Sequence, residues 1–240
     1  MDSLSDVFRG LDWWGLLGLL ISVLAALFCI TVHELCHGLA AYSLGDPTAK
    51  NAGRLSLNPI RHIDPVGLIM MLVVHVGWAK PVPVDMRYFK HPKRGMALTA
   101  LAGPLSNFVL SFLAVALCSL AFRHSDLWSE REWVYFLLSF LANVAILSVG
   151  LGLFNLIPIP PLDGSKVLGA VLPSRVYMTV LRYERYVMLA VVLLTLSGLF
   201  SGPLSFLMTR TLDGMCLLCG FRQGTQTLLI FSDFFQYFRF

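Results

Sequence analysis

Charge is what this sequence has least of. Lys, Arg, Asp and Glu make up 13% of its 240 residues, about half the share of an ordinary soluble domain. Set against 57% hydrophobic residues, that shortage excludes a typical soluble domain and points to a polytopic membrane protein. Paired cysteines are also lacking: five is an odd number, so no disulfide framework is expected. The first apolar segment has no basic region before it and is therefore no cleaved signal. There is no repeat, no low-complexity tract and no appended soluble domain. The net charge of +4 is too small and too scattered for a nucleic-acid partner.

Long apolar runs are present instead. Residues 13–44, 95–122, 133–157 and 186–208 each approach or exceed the roughly 20 residues needed to span a bilayer. The stretch VGLIMMLVVHVGWA at 66–79 is shorter and reads as a re-entrant or interfacial piece. Trp13 and Trp14 suit an outer aromatic belt. With the first helix running inward, twelve of the eighteen Lys and Arg residues fall on the cytoplasmic side and six on the other. That bias fits the positive-inside rule and places the N-terminus outside.

The insertion at 46–94 begins with a Gly-Asp-Pro stop at 45–47. Its Asn-, Gly- and Pro-rich start is too polar to face lipid, so it must be buried in protein or line a cavity. GRLSLN at 53–58 alternates well enough for a short strand. The expected architecture is all-α, with a re-entrant or short β segment near the cytoplasmic face. One membrane-embedded domain spans 1–240: a core at 13–170 with its insertion, a further helix within 171–208, and an interfacial or flexible tail at 209–240.

Inside the first run stands His33-Glu34-Leu35-Cys36-His37. On a helix the two imidazoles share one face, one turn apart, where both can bind one zinc ion, with Glu34 placed to polarise water. The bland alternative is a polar cluster that holds neighbouring helices, but ionisable groups within membrane segments are functional by default. A catalytic zinc takes three protein ligands and keeps one position open. Counting 1.5 Å per residue puts His33 roughly 28 Å below Trp14 and Asn155 roughly 33 Å below Trp133. Just past Asn155, Pro158, Pro160 and Pro161 break the helix, and Asp163-Gly164 can present a carboxylate there. Asp163 is thus the best third ligand, its alternative being a helix N-cap. Asn155 and Asn107, the latter in AGPLSNF, can bring amides to the site for substrate or oxyanion, or can be helix-packing groups. Gly103 and Pro104 read as structural, allowing close helix approach or a kink. His62 and His75 can lie near the active-site face; His91 and His124 are expected in solvated loops. Cys216 and Cys219 form a lone CxxC with no partner motif, and Cys29, Cys36 and Cys118 read as packing residues.

HExxH in an apolar helix, Gly103-Pro104-Leu105-Ser106-Asn107 in a second and Asn155-Leu156-Ile157-Pro158-Ile159-Pro160-Pro161-Leu162-Asp163-Gly164 after a third resemble the site-2 protease family. The resemblance covers roughly residues 13–170. It implies an intramembrane zinc endopeptidase with His33, His37 and Asp163 as ligands, Glu34 as base and Asn155 on substrate or oxyanion. It also implies a transmembrane or membrane-anchored protein substrate, an active site open to the cytoplasm and, for a compact chain without PDZ or CBS domains, a bacterial plasma membrane. The chain differs from better-known members in its long insertion and in having no separate helix before HExxH. By the same resemblance, the insertion gates the site and offers a strand to an extended substrate. A non-catalytic membrane scaffold on the same fold is the alternative.

Overall fold

The computed structural model describes residues 13–67, 69, 79–123, 132–173, 175, 179 and 182–221. Seven α-helices are described: α1 Trp13–Ser43, α2 Thr48–Asn51, α3 Pro92–Arg123, α4 Glu132–Asn155, α5 Asp163–Val171, α6 Glu184–Leu196 and α7 Ser201–Leu218. The long apolar stretches Gly15–Ser43, Pro92–Ala121 and Phe136–Asn155 are each long and apolar enough to cross a membrane. This is an all-α polytopic membrane protein, as the composition requires.

Helices α1, α3 and α4 pack pairwise around one core, α5 lies on α3, and α7 leans on α4 and α3. In a membrane, helices gain from close approach rather than from burying apolar surface, so small residues belong at the contacts. Ala25, Cys29, Ala114, Cys118, Ala142 and Ala145 occupy them. Two polar bonds tie the helices across the core: Ser111 Oγ donates to Ala145 O at 2.8 Å and Ser22 Oγ to Asn143 Oδ1 at 2.8 Å. Outward, Leu16, Leu20, Leu24 and Phe28 form an exposed stripe along α1, four residues apart as one helix face demands. Cys29 reads as expected: its thiol sits between Val144 O and Ser148 Oγ in the core.

Helix α1 stops where Gly45 takes a positive φ of 103°, a conformation glycine adopts without steric penalty. Asp46, fully buried, then accepts from Thr48 N at 2.9 Å and from Asp85 N at 2.7 Å. One carboxylate thereby pins the far end of the insertion to the end of α1. At the other end of the core, α4 stops at Asn155 because the prolines that follow supply no N–H and block helical continuation.

Two expectations need correction. The run at 186–208 is not one helix: α6 and α7 meet at 78°. Gly198, at φ 75°, turns the chain there, and the pair spans a membrane only as a broken unit. GRLSLN forms no strand. Its backbone is irregular, Ser56 O instead bonds the His62 ring at 2.8 Å, and the β pairing among the described residues is a single bridge, Ile63 to Ala79. Among the described residues, 53–58 have no partner strand, and alternation without a ladder does not make a sheet. Most of 66–79, His75, His124 and the tail from 222 lie outside the described residues.

Candidate metal centre

The helix α1 carries His33 and His37 one turn apart, both buried. Their Nε2 atoms lie 3.0 Å from each other and 3.2 and 3.0 Å from Asp163 Oδ2. Three donor atoms thus converge on one point. Tetrahedral zinc bonds of about 2.0–2.1 Å require ligand atoms roughly 3.3 Å apart, close to the spacing seen. Among the described residues this is the one His/Cys/Asp/Glu group of three or more that can hold a metal; no cysteine belongs to it.

Each histidine is aimed by a partner on α3. His37 Nδ1 lies 2.6 Å from Thr99 O; a carbonyl can only accept, so Nδ1 carries the proton and Nε2 presents its lone pair to the centre. His33 Nδ1 lies 3.1 Å from Asn107 Nδ2. Asn107 is fully buried and its Oδ1 has no partner among the described residues. A metal on His33 Nε2 would place the proton on Nδ1, which then needs an acceptor. Turning the Asn107 amide end for end, a change nearly neutral in shape, supplies that acceptor and satisfies the orphaned oxygen. The donor set therefore fits a metal ion.

Asp163 opens α5 without acting as its side-chain cap; the N-cap position is Leu162. The N-cap alternative is not realised. Burial alone would raise the Asp163 carboxyl, yet hydrogen bonds with His33 and His37 and the Lys166 ammonium hold it well below the ordinary carboxylate range. Lys166 Nζ reaches its outer oxygen at 2.9 Å, leaving Oδ2 for the centre.

Glycine is required at two places. A Cβ at Gly103 would run into both imidazoles, 2.7 Å from His33 Cε1, so AGP lets α3 lie against the histidine face. At Gly164 a Cβ would strike Leu156 O and lie 2.6 Å from Ile157 O. Only a glycine lets α5 start against the broken end of α4.

Glu34, half-buried and next in the chain to His33, accepts from Val82 N at 3.0 Å. Val82 stands between Pro81 and Pro83, so its N–H is the one backbone donor in those three residues. Arg54 Nη2 approaches Pro81 O at 3.4 Å, so both ends of the peptide unit 81–82 are engaged. Asn107 joins the centre through His33. Asn155 does not join it by a hydrogen bond; its Nδ2 donates back to Leu151 O at 2.9 Å. His62 is a buried packing residue bonded to Ser56 O, and His91 is exposed.

Residue patterns did not point to Thr99 O, Val82 N or Lys166. Main-chain groups leave no trace in residue type. Lys166, three residues after Asp163 on a helix, had the right spacing.

Comparison with known proteins points to the same metal. The profile of peptidase family M50 matches residues 124–198. A Bacillus subtilis protein named "Putative zinc metalloprotease YwhC" is 40% identical over 68% of this chain and 74% of its own length. The chain belongs to peptidase family M50, the site-2 proteases. Proteins of Mycolicibacterium smegmatis and Mycobacterium tuberculosis, both named "Putative zinc metalloprotease Rip2", are 31% and 29% identical, over 68% and 79% of this chain and 61% and 74% of their own lengths. No solved structure matches the chain.

Proposed function

We propose that this M50 member is a zinc-dependent endopeptidase that hydrolyses peptide bonds within or beside transmembrane segments of other proteins. The observation that carries the reading is the convergence of His33, His37 and Asp163, next to Glu34, at one end of a membrane-length helix. His33 and His37 through Nε2, and Asp163 through Oδ2, would hold zinc. Bound there, the metal supplies Lewis acidity that lowers the pKa of water and polarises the scissile carbonyl.

The rest falls to the chain itself. Glu34 takes a proton from the attacking water and delivers it to the leaving amide nitrogen. The Val82 N–H holds that carboxylate in place until water and substrate arrive. Thr99 O and the Asn107 amide lock the imidazole tautomers. Asn155 must release Leu151 O to donate to the developing oxyanion, a role that its place at the helix break supports. The substrate must be able to unwind, because helical amides are shielded by their own hydrogen bonds.

Water has to reach this site, and the positive-inside count supports a position near the cytoplasmic face of a bacterial plasma membrane. The insertion at 46–94, held to α1 by Asp46 and Glu34, forms the gate. A single membrane-embedded unit, 1–240, carries the activity.

Full-length protein in proteoliposomes with a single-span model substrate tests the reading. Glu34→Gln should keep about one zinc per chain and lower the cleavage rate at least roughly a hundredfold. A variant that cleaves at the wild-type rate would sink the mechanism. Wild-type protein that holds zinc but cleaves nothing would leave only a metal-holding scaffold.

A further inference from the structure

Arg54, which bonds the peptide unit that holds Glu34, lines a second, differently built cleft in the insertion. This cleft of about 500 Å³ is lined by residues 51–54 and by Ile60, Arg61, Ile63 and Lys80. Three of the lining residues are cations: Arg54, Arg61 and Lys80. None is an acid. Arg54 is only 8% exposed, and its Nη1 has no partner among the described residues. A buried guanidinium with unused donors and no counter-ion is costly, and such groups are normally paired.

The counter-ion is not supplied by the insertion. Residues 46–94 hold three carboxylates, Asp46, Asp64 and Asp85. Asp46 is occupied by Thr48 and the Asp85 N–H, Asp64 accepts from Val66 N and Gly67 N, and the Asp85 side chain pairs with Arg87. Residues 68–78 contain no Asp or Glu at all.

The surroundings favour one source of negative charge. Ile60, in the wall of the cleft, is 76% exposed, Leu57 is 65% exposed, and Val66 and Ile69, further along the insertion, are exposed as well. Exposed apolar residues beside a cationic cleft, just past the end of a membrane-length helix, match a phospholipid: acyl chains along Leu57 and Ile60, phosphate within reach of Arg54, Arg61 and Lys80. Guanidinium forks suit phosphate oxygens. We infer that the Arg54–Arg61–Lys80 cleft binds the phosphate headgroup of an anionic phospholipid. Its occupant would lie beside Arg54, and so one peptide unit from the Val82 N–H that holds Glu34.

The test uses full-length protein in nonionic micelles doped with equal amounts of phosphatidylglycerol and phosphatidylcholine, repurified, with retained lipid measured by mass spectrometry. Wild-type protein should retain phosphatidylglycerol preferentially, and Arg61→Gln with Lys80→Gln should lower the enrichment by about fivefold for each cation removed. Molar salt should weaken retention, and millimolar inorganic phosphate should displace the lipid. Arg54→Gln should act likewise; because it is buried, the exposed pair carries the test, with zinc content and melting temperature as folding controls. The pair Lys90→Gln and Arg175→Gln, exposed cations outside the cleft, should change nothing.

Equal retention of the two lipids by the wild type overturns the proposal, as does unchanged enrichment in the Arg61/Lys80 variant or equal loss in the control pair. Binding of inorganic phosphate, or of an acidic peptide, without phosphatidylglycerol enrichment also overturns the lipid assignment.

Discussion

The two ends of the three-helix core use α1 and α3 for opposite purposes. At one end α1, α3 and α4 meet through Ala114, Val115, Ala142, Ala145 and Cys29, with polar bonds such as Ser111 to Ala145 O as local ties. At the other end, α1 and α3, with Asp163 from α5, bring together His33, His37, Asn107 and Asp163, all buried. The apolar end tolerates many side chains of similar size, because nothing there depends on an atom's position to a fraction of an ångström. The polar end has no such freedom. Each ring nitrogen has an assigned partner, and the two glycines that flank the site are there because a methyl group would displace an imidazole or a chain end. The difference separates residues that let helices approach from residues that aim atoms.

Substitutions at the polar end should therefore break the centre, while equal changes elsewhere should pass unnoticed. The largest effect is expected for Asp163→Ala, which removes one of three converging donors and leaves two buried imidazoles and Lys166 without their carboxylate. Zinc content after dialysis against a weak chelator should fall from near one per chain to near zero, and cleavage with it. If the variant retains full zinc, Asp163 is no ligand. Next comes Gly103→Ala against Gly18→Ala. The first forces a Cβ into both histidine rings, whereas nothing lies within 4 Å of a Cβ at Gly18. Gly103→Ala should weaken zinc binding at least about tenfold, the scale of a disturbed ligand shell. Gly18→Ala should leave zinc binding unchanged and stabilise the fold by up to about 1 kcal/mol, as expected for Gly-to-Ala in a helix. Equal zinc affinity in the two would mean that the close packing at Gly103 is slack.

Much of this division is legible in the residues alone. The apolar runs fix three membrane-length helices because length and hydropathy leave few alternatives in a bilayer. HELCH fixes two ring positions because helical spacing is rigid, and the prolines before Asp163 mark the one place where a third helix must stop at similar depth. What stays hidden is whatever depends on main-chain atoms or on a partner segment. Thr99 O and Val82 N carry no residue signature. The alternation at 53–58 suggests a strand, but strand formation is decided by a neighbour that the segment does not have. The break between α6 and α7 was visible in principle, since Gly198 and the Gly202-Pro203 pair interrupt the apolar run; overall hydropathy masks it. The Asn155 amide illustrates a further limit: residue counting suggests the depth of the site for it, while its own helix claims its donor.

The finest test of the comparison sets Asn107→Leu beside Ser111→Ala, one helical turn apart on α3. Both side chains are fully buried, so a role in packing alone predicts similar costs. Ser111 Oγ ties α3 to Ala145 O on α4 and to Met215 Sδ on α7, and its loss should lower stability by about 1 kcal/mol without touching the metal. Asn107 faces His33 Nδ1. Leucine has nearly its size, so the variant should fold, but His33 loses the group that fixes its tautomer. Zinc affinity should fall about 10- to 100-fold, the usual cost of losing an outer-shell partner, and Asn107→Gln or Asn107→Asp should restore part of it if the longer or charged side chain still accepts from Nδ1. Matched melting temperatures with separated zinc affinities would show that two neighbouring buried polar residues serve different ends. Matched zinc affinities would reduce Asn107 to one more helix contact and move the line between the two regions closer to the histidines.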